Sequence, residues 1–200
     1  MTPALLLASE NSGKLYEFQS LLAGLPIHLV TPLEVNLHLN VPEDGRTYAE
    51  NAALKALAYS RASGLPALAD DTGLEVDALD GRPGLYSHRL AARVDATDAD
   101  RRALLLALLG GKPRPWHAHF HCTVAIAVTD GRVFYADGNC PGEIIPEERG
   151  DHGFGYDSIF YLPEVGATMA ELEDAVKNQV SHRWRAIQAA LPILGELFHL

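Results

Sequence analysis

The chain opens on an unbroken apolar run, Ala4–Ala8, with the length and composition of a fully buried strand. The polar stretch Ser9–Gly13 reads as a turn. From Lys14 to Leu22 the apolar positions Leu15, Phe18, Leu21 and Leu22 recur at helical spacing. A second short run, Ile27–Val30, predicts a strand, so the chain begins strand, turn, helix, strand. A polar loop containing prolines follows from about Pro32 to Arg46. Thr47-Tyr48-Ala49-Glu50 then has the form of a capping box, with Thr47 as N-cap and Glu50 reaching back to its amide. The helix it starts should continue to about Ser63, and its many alanines suit close packing on a sheet.

Ala67–Ala69 predicts a brief strand ending in Asp70-Asp71-Thr72-Gly73, with Leu74–Val76 as a further strand and Gly81 to Arg89 as a loop rich in Gly and Pro. Thr97-Asp98-Ala99-Asp100 marks a helix start, and Gly110-Gly111 its end. His119–Val128 and Arg132–Asp137 predict an antiparallel hairpin about the turn Thr129-Asp130-Gly131. After a Gly-rich loop, Ser158–Tyr161 gives a last strand; a short helix near Met169–Ala175 and a longer one from about Ser181 to Leu197 close the chain. No repeat or linker interrupts this order. The prediction is a single α/β domain over residues 1–200, built on a central mixed sheet flanked by helices.

Three segments carry candidate chemistry. Ser9-Glu10-Asn11-Ser12-Gly13-Lys14 lies where a strand gives way to a helix, so amides, hydroxyls and the Lys14 ammonium suit a phosphate. Taken alone, the segment is better accounted for by helix capping by Asn11 or Ser12 beside a solvated lysine, since it is neither a Walker loop nor a Gly-x-Gly-x-x-Gly turn. Asp70-Asp71 follows an apolar strand. Adjacent strand residues face opposite ways, so one aspartate can line a given pocket and the other is expected to bond backbone amides. The pocket-lining carboxylate would suit Mg²⁺, with Glu43 or Asp44 upstream as a second acid; an Asx turn with two surface carboxylates is the other reading. In the last third, Phe154-Gly155-Tyr156-Asp157 sets an aromatic between glycines, and Lys177, His182 and Arg183 can donate to carbonyls or phosphates or decorate a helix start. His117, His119 and His121 share a strand face without the Cys or carboxylate companions of a zinc site, and read as a solvated or half-buried face.

Composition narrows the partners. The 200 residues carry a formal net charge of −10, which repels a polyanion and disfavours DNA or RNA, while a local basic cluster with a divalent cation still admits a small anionic substrate. Two cysteines, Cys122 and Cys140, form neither a disulfide framework nor a zinc knuckle and read as free thiols in a reducing compartment. The apolar start lacks a basic leader region, and no segment approaches the roughly 20 apolar residues of a membrane span. A cytoplasmic location is expected.

Taken in order, the segments resemble the inosine triphosphate pyrophosphatase (Ham1/RdgB-like) family, which acts on non-standard purine nucleoside triphosphates. The resemblance runs through Ser9-x-Asn11-x-x-Lys14, Glu43-x-Gly45-x-Thr47-Tyr48-x-Glu50-Asn51-Ala52-x-x-Lys55-Ala56, Ala69-Asp70-Asp71-Thr72-Gly73-Leu74-x-Val76 and Pro83-Gly84-x-Tyr86-Ser87-x-Arg89. It resumes at Phe120-His121-Cys122, Phe154-Gly155-Tyr156-Asp157-x-Ile159-Phe160 and Ser181-His182-Arg183. Thr72 departs from the family's usual serine, and His88 from a small residue.

The resemblance implies an elongated two-lobed fold with a nucleotide cleft, a homodimer, and Mg²⁺-dependent cleavage of ITP, dITP or XTP to monophosphate and pyrophosphate. It implies phosphate binding by Ser9, Glu10, Asn11, Ser12, Gly13 and Lys14, and metal placement by Glu43 and Asp71. Asp71 would also activate water, and Lys55 would neutralise phosphate charge. Thr72, Phe154, Gly155, Tyr156, Asp157, Lys177, His182 and Arg183 would hold the nucleoside, and loss of Arg183 is expected to harm hydrolysis much more than melting temperature. A Maf-like pyrophosphatase acting on modified pyrimidines or methylated bases is the rival enzyme. A nucleotide sensor is the rival binder, disfavoured by the joint presence of Glu43, Asp71, Lys14 and Lys55.

Overall fold

A computed structural model describes residues 2–93 and 95–200. Among the described residues eight strands form one mixed sheet: β1 (Ala4–Leu7), β2 (His28–Val30), β3 (Ala67–Val76), β4 (Pro83–Gly84), β5 (Trp116–Ala127), β6 (Val133–Ile144), β7 (Phe160–Leu162) and β8 (Ala167–Thr168). Their order is β2-β1-β3-β5-β6-β7-β8, with β4 added to β3. Among the described residues five α-helices accompany them: α1 (Ser12–Leu22), α2 (Tyr48–Ser63), α3 (Asp98–Leu109), α4 (Asp174–Val180) and α5 (His182–Phe198). The expected mixed α/β sheet with flanking helices is present.

β1 lies parallel to β2 (Ala4 beside His28) and to β3 (Leu7 beside Leu68). The distal half of β3 instead pairs antiparallel with β4, Leu74 beside Gly84. β7 runs antiparallel to both β6 and β8. Cross-strand contacts of His117 with Glu143, His121 with Asn139 and Thr123 with Asp137 step forward on β5 as they step back on β6, so the two form a long hairpin. Its turn is the expected one, where the amide of Gly131 donates to Val128.

By compactness the chain divides into two units. The first comprises Met1–Asp71, Cys122–Gly138 and His182–Leu200. Strand alternation builds two cores in it. Leu5, Leu7 and Leu68 face α1 and α5 and pack with Phe18, Leu22, Ile187, Ala190 and Leu194. Leu6, Ala8, Ala67 and Ala69 face the other way and pack with Ala52, Ala56 and Tyr59 of α2, the close contact its alanines predicted. The second unit, Thr72–His121 with Asn139–Ser181, has its own core of Leu74, Val76, Leu105, Leu109, Phe120, Phe160 and Met169 among others.

Both N-caps read from sequence are in place. Thr47 Oγ1 accepts from the Glu50 amide at 3.1 Å, and Thr97 forms a full capping box with Asp100. The Glu50 carboxylate reaches back one residue further than expected, to the Arg46 amide at 2.6 Å. The larger difference is β3. It runs unbroken through Asp70-Asp71 instead of ending at Ala69: β5 lies beside it in the sheet, while β1 pairs with its start and β4 with its end.

One glycine fixes how α5 meets the sheet. A Cβ on Gly138 of β6 would collide with the carbonyl oxygen of His182 and the backbone of Ala186. Gly138→Ala must therefore displace the first turns of α5, and we expect a loss of about 3 kcal/mol, read by urea unfolding.

Candidate active site

The strand alternation that divides the first unit's core also separates the two aspartates. Asp70 continues the face of Leu68, toward α1 and α5, and Asp71 continues the face of Ala67 and Ala69, toward α2. On the first face Asp70 is 1% exposed. Its Oδ2 lies 3.0 Å from Lys14 Nζ and accepts from Arg183 Nη2 at 3.1 Å. Arg183, equally buried, also donates through Nη1 to Glu17 Oε2 and sets its guanidinium over the Phe18 ring. Asp70 is anchored by two cations, partners that the expectation of backbone amides did not include. Burial alone would raise its carboxyl; Lys14, Arg183 and Lys55 together outweigh that and hold it well below the usual carboxylate range. Burial likewise works against the Arg183 charge, and Glu17 and Asp70 outweigh it, keeping the guanidinium firmly protonated.

On the second face Asp71 is nearly buried, and its Oδ2 accepts from Asn51 Nδ2 at 2.9 Å. Asn51 Oδ1 in turn accepts from the Gly45 amide at 2.8 Å. One helical turn beyond Asn51, Lys55 Nζ donates to Glu43 Oε1 at 3.0 Å. Burial pushes the Asp71 carboxyl up and the field of Glu43 adds to this, against the pull of Lys55, the Asn51 hydrogen bond and Lys14. The donor set suits a small hard cation: two carboxylates that repel each other, one of them desolvated, beside a lysine that only partly compensates. Among the described residues no three His, Cys, Asp or Glu side chains converge as a metal cage. Mg²⁺ does not require one, because it retains water and takes substrate phosphate oxygens.

The Ser9–Lys14 turn is built around the start of α1. Asn11 is its N-cap, accepting from the Lys14 amide at 3.0 Å, and Ser9 Oγ accepts from the Asn11 amide at 3.2 Å. Glu10 accepts from the Tyr59 hydroxyl at 3.3 Å, while Ser12 is exposed and Gly13 half-buried. His182 is buried at the first turn of α5 rather than displayed on it, as is Arg183.

In the second unit the residues expected to hold a base form a cluster of their own. Lys177 Nζ lies 2.7 Å from Asp157 Oδ2 and 5.3 Å from the centre of the Phe154 ring. The Phe154 amide donates to the same carboxylate oxygen at 3.0 Å. Gly155 donates its amide to Asp98 Oδ2 at 2.7 Å. Tyr156 is a core residue whose hydroxyl donates to the Ser87 carbonyl at 2.7 Å, and burial raises its phenol. Thr72 is half-buried on β3 and His88 exposed. Of the three strand histidines, His117 approaches Glu143, His119 approaches Glu75 and His121 pairs with Asn139, on an exposed to half-buried face.

Two residues at the centre of these networks had no role in the sequence reading. Glu17 shares a helix with a hydrophobic stripe and meets Arg183 across 166 positions. Asn51 was visible only as one letter of a motif, although a polar residue amid the alanines of a packed helix is itself a signal that a buried partner exists.

Residues 5–193 match the model of the Ham1 family. A dITP/XTP pyrophosphatase of Desulforamulus reducens is 46% identical over 195 residues, covering 97% of this chain and 96% of that protein. One from Nostoc is 46% identical, covering 98% and 97%. Among solved structures, a HAM1 protein from Coxiella burnetii superposes with a TM-score of 0.87 at 40% identity, covering 97% of this chain and 99% of the other.

Proposed function

The chain belongs to the Ham1 family, and from that premise we propose that it hydrolyses ITP, dITP and XTP to the monophosphate and pyrophosphate, with Mg²⁺ as cofactor. It is a nucleoside-triphosphate hydrolase, as its relatives named dITP/XTP pyrophosphatase are, and the proposed role is to sanitise the nucleotide pool. The observation that carries the reading is the segregation of Asp70 and Asp71. One carboxylate is neutralised by Lys14 and Arg183, and the other stands desolvated beside Glu43 and Lys55.

In this reading Asp71 and Glu43 hold the metal, which when bound supplies charge neutralisation and polarises the phosphoryl group under attack. Asp71 also orients or deprotonates the attacking water. Lys55 neutralises phosphate charge, since attack at the α-phosphorus with pyrophosphate leaving depends more on positioning and charge than on covalent chemistry. Ser9, Glu10, Asn11, Ser12, Gly13 and Lys14 bind the phosphates at the start of α1. Thr72, Phe154, Gly155, Tyr156, Asp157 and Lys177 hold the nucleoside, Phe154 supplying the aromatic face.

Selection of the base rests on His182 and Arg183. With two nitrogens already donating to carboxylates, Arg183 is a fixed donor rather than a mobile one. Donors aimed at a 6-oxo group would face adenine's amino group as donor against donor, and sites of this kind discriminate by roughly 10⁴–10⁵. Guanine shares the 6-oxo group and needs a separate device around C2. The enzyme is proposed to act as a homodimer in the cytoplasm; no helix among the described residues is long and apolar enough to cross a membrane.

Pyrophosphate release from ITP, dITP, XTP, GTP, ATP and modified pyrimidine triphosphates, with and without Mg²⁺, tests this directly. Turnover should be confined to the first three and need the metal. Activity on modified pyrimidines alone would transfer the chain to the Maf-like reading, and release of orthophosphate would place the cut elsewhere in the triphosphate.

A further inference from the structure

Asn51 is wholly buried on α2, and both ends of its amide are used. A peptide N–H can only donate, so the Gly45 amide dictates that Asn51 Oδ1 faces the loop. The Nδ2 end must then face β3, where it can meet only an acceptor, and it meets Asp71 Oδ2. The loop is gripped on either side of this contact. Lys55 holds Glu43, two residues before Gly45, and the Glu50 carboxylate holds the Arg46 amide. The fit at Gly45 leaves no room for a side chain: a Cβ there would lie 2.7 Å from Asn51 Oδ1 and 2.8 Å from Glu50 Cβ. One amide thus spans the two segments that carry the carboxylates assigned to the metal.

We propose that Asn51 is a positioning residue that fixes Asp71 and the Glu43 loop relative to one another, so that two carboxylates 28 positions apart act as one cation-binding pair. It touches neither substrate nor metal; it acts through Asp71 and Gly45. The inference rests on the assignment of Asp71 and Glu43 as metal ligands made above.

The test compares wild type with Asn51→Ala, the isosteric Asn51→Asp, and Gly45→Ala, which leaves Asn51 in place and pushes the loop off it. Mn²⁺ alone, without nucleotide, is titrated into each protein by calorimetry, and kcat and KM for ITP are measured at saturating Mg²⁺. Removal of groups that orient metal ligands weakens affinity or activity by roughly 10–100-fold. Asn51→Ala and Gly45→Ala should therefore weaken Mn²⁺ binding at least tenfold and lower kcat, while KM for ITP moves less than threefold. Asn51→Asp, which sets a carboxylate oxygen against Asp71, should be the most impaired.

A structural filler would behave otherwise. Folded Asn51→Ala and Gly45→Ala proteins with wild-type Mn²⁺ affinity and kcat within threefold of wild type overturn the proposal. Should the variants not fold, the Asn51 side-chain amide is followed by NMR in the wild-type protein. Its two proton signals must shift as Mg²⁺ is added, and signals unmoved at saturation overturn the proposal as well. A wild-type protein that binds no Mn²⁺ overturns the metal assignment itself, and this inference with it. Metal binding that is normal in wild type and unchanged in the variants overturns this inference alone.

Discussion

Asp71→Asn abolishes turnover and leaves the protein folded. The expected loss is roughly 10³-fold or more, since the substitution removes a general base, typically worth roughly 10²–10⁴ on its own, together with a metal-binding charge. Stability should move the other way. Burial pushes the Asp71 carboxyl up, which means that the folded protein disfavours its charge, and a neutral amide removes that penalty. The hydrogen bond survives too, because an asparagine at 71 can present its carbonyl oxygen to Asn51 Nδ2. A melting temperature equal to or above wild type, with no pyrophosphate release from ITP, is the predicted pair of results. Near-normal release would remove Asp71 from the mechanism.

Arg183→Ala is predicted to cost about 3–5 kcal/mol, corresponding to a fall in melting temperature on the order of 10 °C. The expectation from sequence was that Arg183 matters to hydrolysis far more than to melting temperature; its burial adds a large effect on stability. A side chain pictured on the first turn of a helix is instead buried between Glu17 and Asp70. Its removal strands two carboxylates away from water. Asp70 keeps Lys14, while Glu17 loses the bond from Arg183 Nη1. Glu17→Ala combined with Arg183→Ala should therefore recover part of the stability that Arg183→Ala loses, while hydrolysis of ITP stays impaired. Thermal melts of the two single variants and the double variant provide the check, and simple additivity would show that Glu17 and Arg183 are not coupled.

What could be read from the chain in advance was what local chemistry decides. The helical stripe of α1, the Thr47 and Thr97 caps, the alanine face of α2 and the hairpin turn at Thr129-Asp130-Gly131 are each set by residues a few positions apart. The continuity of β3 was not legible, because two adjacent acids look like a break. The strand persists through them among partners that arrive from elsewhere, β1 at its start, β4 at its end and β5 beside it. The two-residue strands β4 and β8 likewise exist only through a neighbour.

The candidate site divides in the same way. Opposite facing of Asp70 and Asp71 follows from strand geometry alone and was foreseen. Which face each would take, and that Glu17 and Asn51 would complete the two networks, depends on contacts over 166 and 20 positions that no local pattern encodes.

The Glu17–Arg183–Asp70 network also has a history in the order of synthesis. Glu17 and Asp70 leave the ribosome early, and their shared cation follows Asp70 by 113 residues. Until α5 emerges, the face of the sheet that α5 will cover stands open, with Lys14 as the early counter-charge of Asp70. Chains halted before residue 183 therefore lack both the apolar cover and the charge that this half of the first unit is built to enclose. Such products should be cleaved faster by a protease than chains that include α5.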